Sequence, residues 1–128
     1  MTDPQSSPIL KRILDRKSEL LAELGECEIR ATLAQAEGSH ISLRMERERY
    51  HLLRQQAFDH SALCRCVVSL TRWLSNCAML GLTPDGFEIK EVVHTTCWFY
   101  ASQISSNDIE LLINGVIEHI EEQKKESR

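Results

Sequence analysis

Glycine and proline are scarce in this 128-residue chain, at 5 and 3 residues. That is too few for the many tight turns of a β-sandwich or barrel. No apolar run approaches the roughly 18 residues a membrane helix requires, which excludes a spanning segment. The opening Met1-Thr2-Asp3-Pro4-Gln5-Ser6-Ser7 lacks the basic start and apolar centre of a signal peptide. No C-x-x-C pair, glycine-rich phosphate loop, Walker pattern or paired-carboxylate motif occurs. What is present is an ordinary globular balance, 42% apolar and 27% charged, at a length that fits one domain with one core.

The net charge is −4 and is unevenly placed. Residues 1–83 hold 11 basic and 10 acidic side chains, net +1, and residues 84–128 hold 4 and 9, net −5. An acidic chain has no general electrostatic pull toward nucleic acid. The five cysteines are Cys27, Cys64, Cys66, Cys77 and Cys97. The odd count and scattered positions indicate reduced thiols in a cytoplasmic protein. All but Cys64 fall on apolar helical faces, where a thiol packs as a small hydrophobe.

Apolar spacing of three and four residues runs through the whole chain and predicts an all-α fold of four to five helices. Residues 1–7 read as a flexible arm, closed by Ser7 as an N-cap ahead of Pro8. Helices are expected at 8–37, 40–57, 58–80, 84–102 and 107–125, with 40–80 alternatively one helix. Gly38-Ser39 punctuates a long N-terminal helical hairpin, packed on a compact C-terminal part. The competing reading of 8–57 is one coiled-coil helix, but it places Lys17, Gly38, Glu48 and Gln55 on the seam. Residues 62–77 are the most apolar and are the expected central helix. Thr83 is read as the cap of the fourth helix, and Asn107, with Glu110, as the capping box of the last. The β-branched stretch Ile89 to Thr96 offers a strand as its alternative, although Val92-Val93 breaks strict alternation.

The first helix, about 45 Å long, would overhang a globule roughly 36 Å across. Its apolar stripe then needs cover, and a homodimer through Leu10, Ile13, Leu20 and Leu24 supplies it. Trp98 is the second feature. If Val93, Thr96 and Tyr100 face inward, Trp98 points the opposite way and offers an interface anchor. Third, Arg47, Arg54, Arg65 and Arg72 fall within about 20° of one another if 40–80 is continuous.

Two pairs of residues have spacings that bear on chemistry. His60 and Cys64 share a helix face at metal-ligand spacing, without a second pair to complete a site. His94 and Cys97 could form an activated thiolate, but no orienting group or oxyanion site accompanies them. No cofactor or metal is expected. The expected function is therefore a non-enzymatic cytoplasmic interaction module acting as a homodimer: an adaptor, a chaperone or an inhibitor of a larger machine. Its partner-binding residues would be Trp98 or the arginines 47, 54, 65 and 72. A dimeric DNA-binding regulator using that arginine line is the alternative, and a thiol enzyme the third reading.

Overall fold

The computed structural model describes residues 7–100 and 104–126, and its elements are four helices with no strand among those residues. They are α1 (Pro8–Ala36), α2 (His40–Met79), α3 (Gly86–Tyr100) and α4 (Ser106–Glu126). The two expected helices at 40–57 and 58–80 are one. Nothing in the Phe58-Asp59 stretch breaks a helix, and Gln55 Nε2 donates to Asp59 Oδ1 at 3.0 Å along its surface. The β-branched stretch of residues 89–96 is helical, as its spacing predicts. Residues 1–6 of the expected arm, and the expected end of the fourth helix at 101–102, lie outside the described residues. Ser7, assigned to that arm, is instead fully buried.

Both long helices end the same way. Gly38 N donates to Gln35 O at 3.2 Å and Ser39 N to Ala34 O at 2.9 Å. Gly81 N donates to Ala78 O at 3.1 Å and Leu82 N to Cys77 O at 2.8 Å. These two pairs close orphan carbonyls and require a left-handed residue, which the φ values of Gly38 (72°) and Gly81 (70°) supply. The starts differ in part from expectation. Ser7 Oγ does accept from Leu10 N at 3.2 Å and so caps α1. The cap of α3 is Asp85, whose Oδ1 accepts from Glu88 N at 2.8 Å, and not Thr83. The cap of α4 is Ser105, whose Oγ accepts from Asp108 N at 3.2 Å, and not Asn107. Each true cap lies two residues from the expected one, in a run of several residues able to cap.

Packing divides the chain into two compact units, residues 15–61 and the remainder; α1 and α2 contribute to both. In the larger unit Leu10 and Ile13 join Leu63, Val67, Leu70, Leu74, Ile89, Val93, Leu112 and Val116 in one core. Buried residues cover a wide arc of this part of α2, including Cys64 and Thr71, while Arg65, Val68 and Arg72 are exposed on its other side. Cys64 departs from its expected place off the apolar face. It is buried because the start of α1 covers it, and its thiol donates to Ile13 O at 3.6 Å.

In the unit of residues 15–61, Leu20, Cys27 and Leu53 form a smaller core with Leu24, Tyr50 and Ala57 against it. Glu46 bridges this hairpin. Its carboxylate accepts from Arg30 Nε at 3.0 Å and from Cys27 Sγ at 3.2 Å. It does not take up the short-range pairing with Arg49 that i, i+3 spacing allows. The exposed Arg44–Glu48 pair is present at 3.7 Å.

The stripe expected to meet a second copy is thus covered by the chain itself. Leu10, Ile13 and Leu20 are 0%, 4% and 2% exposed, and Leu24 is half-buried.

Candidate docking face

Helix α3 is short, and its two sides are chemically distinct. Ile89, Val93 and Cys97 are buried, with Val92 and Thr96 half-buried beside them. At about 100° per residue these five positions define the inward arc. Phe87, Glu91, His94 and Trp98 lie within about 60° of one another on the opposite arc. All four are exposed, Phe87 at 74% and Trp98 at 76%. Phe99 stands at the flank of this face, 72% exposed, and contacts Tyr100 edge-on at 4.9 Å between ring centroids.

The helix is held in place from behind. Asp85 fixes its start, and the side chains of Ile89, Val93 and Cys97 anchor it in the core. Isolated exposed hydrophobes are normal on a protein surface, but three aromatic rings at about three-quarters exposure are concentrated on this one 15-residue helix. Trp98 sits where the sequence predicts it. Phe87 is absent from that prediction, although its signal was present: it stands eleven residues before Trp98, about three helical turns, and so returns to the same line.

Arg47 and Arg54 are exposed in the unit of residues 15–61; Arg65 and Arg72 are exposed in the other. Cys97 is 2% exposed, and burial pushes its thiol above the ordinary range. Cys66, its hydrogen-bonded neighbour, is pushed up to about 12, burial again being the first cause and the Cys97 thiol the next. This environment keeps both protons on, the reverse of what nucleophilic activation by His94 requires. Among the described residues no three His, Cys, Asp or Glu side chains group to hold a metal ion. A groove of about 570 Å³ runs beside Leu74, Cys77, Leu82, Pro84 and Ile120, with Gln123 and Lys124 at its edge. No His, Asp or Glu lines it, so it brings no acid–base pair together. No helix among the described residues is long and apolar enough to cross a membrane.

Comparison of the chain with protein-family models, with curated proteins and with solved structures finds no match.

Proposed function

We propose that this chain is a non-enzymatic protein-interaction module, of the adaptor, chaperone or inhibitor kind, that docks through the outward face of α3 and acts as a homodimer in a cytoplasmic setting. One observation carries the reading: Phe87 and Trp98 stand about three-quarters exposed, three turns apart, on the side of α3 opposite its buried side. A rigid helix presenting two large rings at that spacing is the usual form of a helical recognition surface. Aromatic anchors supply large contact area at low cost in side-chain freedom. The polar pair between them, Glu91 and His94, gives the face register. The buried, protonated thiols and the carboxylate-free groove turn the reading away from catalysis.

The test is co-purification of the full chain from a native lysate, beside Trp98→Ala and Phe87→Ala. Loss of the same bound protein in both variants, with the helical circular dichroism spectrum intact, supports the reading. An associated set unaltered by either substitution overturns it. If exposed arginines were the contact, Arg54→Glu and Arg65→Glu would empty the bound set while the aromatic variants left it full.

A further inference from the structure

The outward face of α3 is complementary to itself. The midpoint of the Val92–Val93 peptide is equally far from Phe87 and Trp98, and equally far from Glu91 and His94. A two-fold axis lying along the plane of this outward face, at right angles to α3 and level with that midpoint, would lay it antiparallel on the α3 of another copy. Phe87 would then face Trp98 of that copy and Glu91 its His94, with both contacts repeated across the axis. We propose that the occupant of this face is a second copy of the chain, seated on α3 in this antiparallel register. The proposal rests on the reading of α3 as a docking face, and adds the partner and the geometry.

Three features favour this occupant. The first is charge. A carboxylate and an imidazole placed symmetrically about a midpoint are both satisfied when the partner carries the same two groups in reverse order. Isologous contact of this kind is the rule for two-fold dimers. Neither side chain is otherwise engaged: among the described residues Glu91 and His94 make no side-chain hydrogen bond or ion pair. The second is spacing. The steps from Phe87 to Glu91, His94 and Trp98 are four, three and four residues, the alternation that keeps a seam facing a helical partner. Ring on ring at the two ends, about 16 Å apart, brackets carboxylate on imidazole in the middle.

The third is area. A ring side chain buries roughly 150–250 Å² when fully covered, so four rings at about three-quarters exposure contribute some 450–750 Å². Stable interfaces start near 1,000 Å² in total, a value reached with the flanking Lys90, Thr95 and Phe99. The contact is therefore at the small end, and a dimer that forms at micromolar concentrations and dissociates on dilution is expected.

Sedimentation of the purified full chain over a dilution series tests this. The wild type should dimerise, and Trp98→Ala should weaken the dimer by at least about tenfold, as loss of an anchor residue does. His94→Glu should weaken it also, by placing carboxylate against carboxylate twice. The decisive variant is Glu91→Arg with His94→Glu together: each charge then meets its opposite on the other copy, and dimerisation should return. A wild type that stays monomeric at the highest concentration overturns the second copy as occupant, while the lysate test of Trp98 still decides α3 as a docking face. A dimer indifferent to Trp98→Ala and His94→Glu, or a double variant no better than His94→Glu alone, overturns it as well.

Discussion

Leu10 lies over Gly115 so closely that a Cβ built on the glycine would stand 2.6 Å from Leu10 Cδ2 and 3.0 Å from its Cγ. The helical backbone at position 115 has an ordinary φ, so the glycine serves proximity and not turn geometry. Gly115→Ala brings a helix-propensity gain of up to about 1 kcal/mol. Against it stands overpacking of roughly 1–3 kcal/mol, because Leu10 is fully buried and the Ile9 Cγ2 lies 3.3 Å away on the same side. Net destabilisation of about 1–2 kcal/mol is expected, read as a lower urea midpoint at unchanged slope. A midpoint equal to or above the wild type would show that Leu10 can retreat.

Ser7 and Glu118 form one cap from two distant parts of the chain. Ser7 Oγ donates to Glu118 Oε1 at 2.7 Å, and Ile9 N donates to the same oxygen at 3.1 Å. Ser7→Ala removes the capping oxygen at a buried site and should cost about 1–2 kcal/mol. Glu118→Gln keeps an acceptor oxygen in place and should cost less than Glu118→Ala. Equal losses for the two Glu118 variants would remove the acceptor role from the account.

The Glu46 carboxylate is held below its ordinary value of 4.5, first by the hydrogen bond from Cys27 and then by Arg30. A carboxylate depressed in the folded state binds its proton more tightly in the unfolded chain. Its contribution to stability is therefore complete above that ordinary value and is lost as the pH falls below it. Glu46→Gln should be less stable than the wild type at neutral pH, and the gap should close under acid conditions. Denaturant midpoints of both proteins from neutral pH down to acid will display this. A gap of constant size would place the effect outside the charge of Glu46.

All five cysteines are buried. In the native state a maleimide dye should modify them slowly, with labelling that tracks the unfolded fraction in urea. Because burial pushes Cys66 up to about 12, raising the pH moderately above neutral should leave Cys66 unmodified in the folded chain. Fast native labelling at Cys66 or Cys97, located by mass spectrometry, would contradict their placement.

The helices were legible in the sequence because their stripes are long, and a face repeated over four or more turns outweighs local noise. Their caps were less so. Ser105, Ser106, Asn107 and Asp108 are all residues able to cap, and which one does is decided by how the chain enters the core. Leu10 to Leu24 reads as an unsatisfied stripe when each segment is projected alone. Only three-dimensional contact reveals that Leu63, Val67 and Val116 cover one end and Leu53 and Tyr50 the other. On α3 the reverse holds. Trp98 was found from its place beside Val93 and Thr96, but Phe87 stands in the first turn, where a single exposed ring draws no notice until its height on the helix is compared with that of Trp98.

Gly38 and Gly81 both adopt the backbone hand that ordinary amino acids resist, and a Cβ added at either would meet nothing within 4 Å. A mirror-image alanine would fit these two corners without strain, while freezing chain motions that glycine permits before folding. Chemical synthesis with D-alanine at both places is thus a route to a tougher protein that leaves its aromatic surface untouched.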